Sequence, residues 1–200
     1  AAKELETAVE RQFAELALGK ARFRIDLPPA RGAVIDGRGG GSCPLSPGGA
    51  EHAEFLLAAN PGEPYRRHER VASGGELSRM SLAIQVIASD GSAIPTMVFD
   101  EVDSGVGGGV AEMVGRRLQE LGAHRQVLCV THLPQVASLA DQHFRISKVS
   151  DGKSTRTRVH PLGKDERTEE LARMLGGVEI TRKTLEHAAE MLAGARKKRA

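Results

Sequence analysis

Three short stretches carry residue types suited to phosphate chemistry. They are Ser73-Gly74-Gly75-Glu76, Asp100-Glu101 closing the apolar run Thr96-Met97-Val98-Phe99, and Thr131-His132 closing the run Val127-Leu128-Cys129-Val130. Two glycines at a helix start leave bare N–H groups at the positive end of the helix dipole, where phosphate binds well. Ser73 and Glu76 also have the spacing of a capping box, which alone would make the stretch a helix start and nothing more. Adjacent carboxylates disfavour each other's ionisation, and a Mg²⁺ ion relieves that repulsion. Asp100 is the candidate metal residue, acting through the ion's water shell because Mg²⁺ dehydrates reluctantly. Glu101 is the candidate base that orients an attacking water and takes its proton. The plain alternative is an acidic turn after a strand. His132 follows the second run, at the strand end where open α/β sheets place ligands, and is the candidate for a γ-phosphate contact. The remaining histidines have no such setting. No stretch reads Gly-x-x-x-x-Gly-Lys-Ser/Thr, so the loop that grips the β- and γ-phosphates lies outside these residues.

The elements that must position these groups follow from periodicity. Leu77, Met80, Ile84 and Ile87 keep helical spacing behind Ser73. The runs at 96–99 and 127–130 are continuously apolar, as in parallel strands buried on both faces. Val110, Val114, Leu118 and Leu121 mark a helix between them, completing a βαβ unit. Upstream, Ala2, Leu5, Val9 and Leu16 form a narrow apolar stripe that fits either a coiled-coil seam or an ordinary amphipathic helix. Arg22–Leu27 alternates as a half-buried strand with Phe23, Ile25 and Leu27 on one face. Residues 32–49 are rich in Gly, Pro and Ser and read as a mobile loop. A strand restarts at 54–59, and Asn60-Pro61-Gly62-Glu63-Pro64 forces a turn. Downstream, the segments around 144–146 and 155–159 flank Asp151-Gly152 as a hairpin, and two helices close the chain around 169–175 and 181–192.

Composition bounds the possibilities. The 200 residues are 40% hydrophobic and 27% charged, ordinary for a globular chain with one buried core. The net charge is only +2, so basic surface must be local: Arg66, Arg67 and Arg70, and the tail Arg196-Lys197-Lys198-Arg199. Either patch could meet DNA phosphate or simply be solvated. Aromatics are 3%, with no Trp, which argues against reading single strands by base stacking. Cys43 and Cys129 form no metal pattern. Cys129 reads as a buried thiol, and both suit a reducing cytoplasm. No apolar run approaches a membrane span. The chain opens inside a helical pattern without a Met and reads as the C-terminal part of a longer protein.

Taken together, these residues resemble the ABC-type ATPase heads of SMC-like proteins and, more narrowly, the RecN family of bacterial double-strand-break repair proteins. The resemblance rests on Asn60-Pro61-Gly62-Glu63, Val71-Ala72-Ser73-Gly74-Gly75-Glu76-Leu77-Ser78-Arg79 and Phe99-Asp100-Glu101-Val102-Asp103-Ser104-Gly105. It continues through Val130-Thr131-His132-Leu133-Pro134-Gln135-Val136-Ala137 and Ala172-Arg173-Met174-Leu175-Gly176-Gly177, covering about residues 54–192. It implies an α/β fold, the C-terminal lobe of an ABC-type head with a parallel sheet flanked by helices. Residues 1–19 would be the end of a coiled-coil arm, 20–194 the lobe and 195–200 a basic tail. It implies ATP and Mg²⁺ as cofactors, with Ser73, Gly74 and Gly75 as a signature motif facing ATP held by a second head, and Glu76 beside them in the same nucleotide-binding stretch. Asp100 would be the metal residue, Glu101 the base, His132 the switch histidine, and Asp103 the start of a loop at the nucleotide. Implied partners are an N-terminal lobe carrying the phosphate loop, a second identical head, and DNA. The implied location is the cytoplasm, at the nucleoid, with no membrane. An SMC-like chromosome-organising head and a non-catalytic interaction module stay open as alternatives.

Overall fold

The computed structural model describes residues 1–30, 33–36, 42–67, 74–88, 94–150, 152, 154–176 and 179–197. The chain divides into two compact units, Ala1–Asp90 and Gly91–Ala200.

In the first unit, helix α1 (Ala2–Glu15) buries Val9 and Phe13 and runs into a buried Leu16; of the expected stripe, Ala2 and Leu5 are left partly exposed. The helix stops in a left-handed turn. Ala17 has φ +58°, and the Leu18 N–H reaches back to the Phe13 carbonyl at 2.8 Å. This six-residue closure usually carries glycine at the left-handed position, because a Cβ is strained there. Ala17→Gly is therefore expected to raise stability by about 1 kcal/mol, read as a higher urea midpoint at unchanged m-value.

Strand β1 (Arg22–Asp26) follows, then β2 (Ala33–Asp36), β3 (Ser42–Leu45), β4 (Glu54–Ala58) and β5 (Arg66–Arg67). β1, β4 and β5 form an antiparallel sheet in that order. The second edge of β1 is covered by α1: the Phe23 and Ile25 N–H groups donate to the Glu10 and Glu6 carboxylates at 3.1 and 2.8 Å. Glutamates one helical turn apart thus match N–H groups two strand residues apart, and the edge offers no template for another strand. Phe23 lies between Phe13, edge-on at 6.3 Å, and Phe55 at 5.5 Å, a favourable aromatic geometry. Leu27 falls beyond the strand and is exposed. Within 32–49, which reads from composition as a mobile loop, residues 33–36 and 42–45 form an antiparallel β2–β3 pair, and 32 and 37–41 lie outside the described residues. The run Ala33-Val34-Ile35 carries two β-branched residues, and that preference outweighs the Gly-rich composition around it. After β4, Gly62 has φ +86° behind Pro61, and the Glu63 N–H meets the Asn60 carbonyl at 3.2 Å. This is a type II turn with proline and glycine where that turn requires them. Helix α2 (Gly74–Ile87) buries Met80, Leu82 and Ala83 and packs on α1.

The second unit opens with β6 (Thr96–Phe99), α3 (Gly108–Gly122) and β7 (Gln126–Cys129). β6 and β7 are parallel, paired from Thr96↔Gln126 to Phe99↔Cys129, with α3 as the crossover. The expectation of burial on both faces is corrected: Met97 and Phe99 are buried, but Val98 is 68% and Val130 53% exposed. One crossover helix covers one face of a two-stranded pair. There follow α4 (Pro134–Ala137), the hairpin β8 (Phe144–Ser150) with β9 (Thr155–Pro161), α5 (Lys164–Gly176) and α6 (Arg182–Lys197). Leu171 and Ala172 of α5 and Ala188 of α6 form a small core with Ala137, ringed by Met174, Leu175, Leu185 and Leu192. Among the described residues no helix is long and apolar enough to cross a membrane.

Two side chains beside this core tie its stability to pH. Burial pushes the His143 imidazole below its ordinary value of 6.5, the Arg167 guanidinium adds to the effect and Glu170 opposes it. The Arg173 guanidinium, hydrogen-bonded to Glu170 at 2.6 and 3.0 Å, holds that carboxyl below its ordinary range. Both folded-state values lie below the unfolded ones, so both contributions are full above the unfolded values and are lost as pH falls through the folded ones. The His143 contribution declines first, once pH drops below about 6.5. The melting temperature is expected to fall between pH 7 and 5, with a shallower fall in His143→Gln.

Candidate functional site

The parallel register of β6 and β7 delivers both polar sequences to one edge of the pair. Phe99 and Cys129 are partners, and the ladder extends one step further through the Val130 N–H to the Phe99 carbonyl at 2.9 Å. Asp100-Glu101 and Thr131-His132 therefore leave side by side at the carboxyl ends of the strands, where α/β sheets bind ligands.

After β6 the chain turns sharply. The Glu101 N–H donates to the Asp100 carboxylate at 2.9 Å, and the Ser104 N–H closes on the Glu101 carbonyl at 3.0 Å. Glu101 has φ +58°, a left-handed conformation that costs a non-glycine residue about 1–2 kcal/mol. Strain of this kind collects at functional positions, held there by surrounding structure. Both Asp100 and Glu101 are exposed. Two residues on, Asp103 is 2% exposed. It accepts a close hydrogen bond from the Thr131 hydroxyl and one from the His132 N–H at 3.2 Å. The His132 Nδ1 lies 3.6 Å from the same oxygen, with the imidazole 72% exposed. Thr131 Oγ1 in turn accepts the Leu133 N–H at 3.0 Å.

The segment behind His132 is held from three sides. Pro134 starts α4 with a preset φ. Gly115 of α3 lets α4 approach so closely that an added Cβ would sit 2.7 Å from Leu139 Cδ1 and 3.2 Å from Val136 Cα. Gln119 donates to the Leu139 carbonyl at 2.8 Å. From α5, Arg167 donates to the Ala140 and Asp141 carbonyls at 2.8 and 3.2 Å, satisfying backbone acceptors just past the end of α4. Cys129, at the end of β7, is a half-buried free thiol. Burial, with Asp103 and Asp100 nearby, pushes it up to about 12, so it stays a thiol and does not serve as nucleophile or metal ligand at neutral pH.

The first unit holds the other motif. Ser73 lies outside the described residues; Gly74 is exposed, Gly75 buried and Glu76 half-buried in the first turn of α2. Arg79, one turn on, is 5% exposed, and burial lowers its pKa against the pull of Glu76. Of the basic residues, Arg66 and Arg67 are exposed on β5 and Arg67 pairs with Glu54. Arg70 and the side chains of the 196–199 tail lie outside the described residues.

Asp100 offers the hard oxygen that Mg²⁺ selects. Among the described residues no group of three His, Cys, Asp or Glu side chains could hold a metal. The structure brings the candidates Asp100, Glu101 and His132 to one edge of the pair, and it adds a contact that sequence reasoning did not anticipate, between Thr131 and Asp103. A threonine beside a histidine gives no signal until the register brings the two strand ends together.

Known proteins place the chain in two steps. The fold is that of an SMC head domain. The chain superposes with a TM-score of 0.55 over 84% of its length on the Smc head domain with a coiled coil and joint from Pyrococcus yayanosii, covering 28% of that chain at 20% identity. It matches at 0.50 over 88% of its length a structure from work on ATP-driven dimerization and DNA-stimulated activation of SMC ATPases, covering 94% of that chain at 18% identity. In sequence the chain is homologous to the DNA repair protein RecN and matches its C-terminal part. It is 46% identical to RecN of Xylella fastidiosa over 192 residues, 96% of this chain. Against RecN of Vibrio cholerae it is 43% identical over 194 residues, 97% of this chain. It spans about a third, 33%, of the length of these curated relatives. No family model matches.

Proposed function

We propose that this chain is the C-terminal lobe of a RecN-type ATPase head that hydrolyses ATP between two heads in DNA double-strand-break repair. The observation that carries it is the shared edge of β6 and β7, which sets Asp100, Glu101 and His132 together in a chain with RecN-like sequence throughout. Glu101 orients and deprotonates the attacking water. Asp100 would hold Mg²⁺, and the ion would supply electrostatic stabilisation to the phosphates of the nucleotide. His132 contacts the γ-phosphate. Gly74 and Gly75, with Ser73, present helix N–H groups to ATP on the partner head. The phosphate loop is supplied by an N-terminal lobe, and residues 1–19 lead out of the coiled-coil arm. The basic residues at 66–70 and 196–199 are candidate DNA contacts, and the protein works in the cytoplasm at the nucleoid.

The test compares magnesium-dependent ATP hydrolysis by residues 1–200 with that of the complete protein. Without the main cradle for the β- and γ-phosphates, the 200 residues are expected to show no turnover above a Glu101→Gln control, and the complete protein to show turnover that DNA and self-association alter. Hydrolysis by residues 1–200 alone, or none by the complete protein, overturns the reading.

A further inference from the structure

Among the described residues Asp103 is the carboxylate shut inside this edge, and its side chain accepts hydrogen bonds from the other loop. A charge at 2% exposure is costly unless fully hydrogen-bonded. Here it is met by the Thr131 hydroxyl and the His132 N–H. Thr131 passes the constraint on by accepting the Leu133 N–H. The backbone is thus fixed at His132 and at the following residue, while the imidazole stays 72% exposed with Nδ1 toward Asp103. A loop clamped at its base with its ring projecting outward is a positioning device.

We infer that Asp103 acts as a positioning residue, locking the turn that carries Glu101 to the loop that carries His132 so that both groups face the same phosphate. This rests on the ATPase reading above and assigns Asp103 a place inside the chain, where its side chain acts on His132 through Thr131 and the backbone. The link is short: Glu101 is two residues from Asp103, and one oxygen of Asp103 serves both Thr131 and His132. Misplacement of a reacting group by about 1 Å can cost about 100-fold in rate, so loss of the lock is felt in turnover before it is felt in ATP affinity.

Two measurements on the complete protein test this, using Asp103→Ala, Asp103→Asn, Thr131→Val and Thr131→Ser. The first is amide hydrogen exchange without nucleotide. In Asp103→Ala and Thr131→Val the segment holding His132 and Leu133 is expected to exchange at least about tenfold faster, with Thr131→Ser close to the parent. Unchanged exchange overturns the lock whether or not the protein is an ATPase. The second is turnover at saturating ATP. Asp103→Ala and Thr131→Val are expected to lower kcat about 10- to 100-fold while ATP affinity stays within about twofold. Thr131→Ser and, in part, Asp103→Asn should restore the rate. On a His132→Ala background, Asp103→Ala should add less than about twofold, because a residue acting through His132 has nothing left to position. Losses that multiply, or a conservative series that fails to rescue, overturn the inference while leaving the ATPase reading standing. If Asp103→Ala does not fold, Thr131→Val carries the same comparison without removing the buried charge.

Discussion

Glu101→Gln in the complete protein is expected to cut ATP turnover by about 100- to 10,000-fold with ATP affinity nearly unchanged. Glutamine keeps the size of the side chain and can still hold the water, but it cannot take the proton. ATP that binds and is not cleaved should then hold two heads together, so light scattering with ATP should show a persistent dimer. A companion variant separates chemistry from architecture. Glu101 has φ +58°, and glycine removes the Cβ strain of that conformation. Glu101→Gly is therefore expected to be more stable by about 1 kcal/mol and as inactive as Glu101→Gln. A residue whose replacement stabilises the fold and abolishes the activity is kept for the activity. Near-normal kcat in Glu101→Gln would show that another group takes the proton.

The sequence was most legible where a local pattern and the tertiary fold agree. The helix at 108–122, the hairpin around Gly152 and the two closing helices follow from 3.6- and 2-residue periodicity and from turn residues. The turn at 60–63 follows from proline and glycine at fixed offsets. Legibility failed in three places, each for a physical reason. The Gly-rich stretch at 32–49 reads as loop by composition, yet its residues 33–36 pair with 42–45, where β-branched Val34 and Ile35 favour a strand. The apolar run at 96–99 reads as buried on both faces, but continuity of apolar residues does not say how many layers a chain of this extent provides. Val98 is exposed in these 200 residues. The coverage of the edge of β1 by Glu6 and Glu10 gave no signal at all, since glutamates on a polar helix face look like solvated charge until a strand is placed beside them.

The candidate site shows the same division. Glu101, Asp100 and His132 were legible because each sits at the polar end of an apolar run. Their convergence was not legible residue by residue; it follows from the parallel register, in which Phe99 and Cys129 are partners. The left-handed backbone of Glu101 was invisible for a simpler reason: the residue type that marks such a position is glycine, and here the position holds a glutamate.

Ser73→Arg in the complete protein is expected to block ATP-driven dimerisation while leaving ATP binding by a single head intact. The expectation rests on the sequence Ser73-Gly74-Gly75 and on the start of α2 at Gly74, which is exposed. A helix start with no Cβ at two successive positions leaves room for a phosphate against its N–H groups. In the proposed arrangement that phosphate belongs to ATP on the opposite head, so a long side chain at 73 fills the space meant for the partner's nucleotide and leaves the head's own pocket alone. Calorimetry should give ATP affinity within about twofold of the parent, and light scattering should show no ATP-dependent gain in mass. Turnover should fall to the level of Glu101→Gln, because hydrolysis requires the assembled pair. If Ser73 only caps α2, the variant should instead lose about 1 kcal/mol of stability and still dimerise with ATP. If affinity collapses together with assembly, the motif serves the nucleotide of its own head, and the arrangement across two heads is wrong.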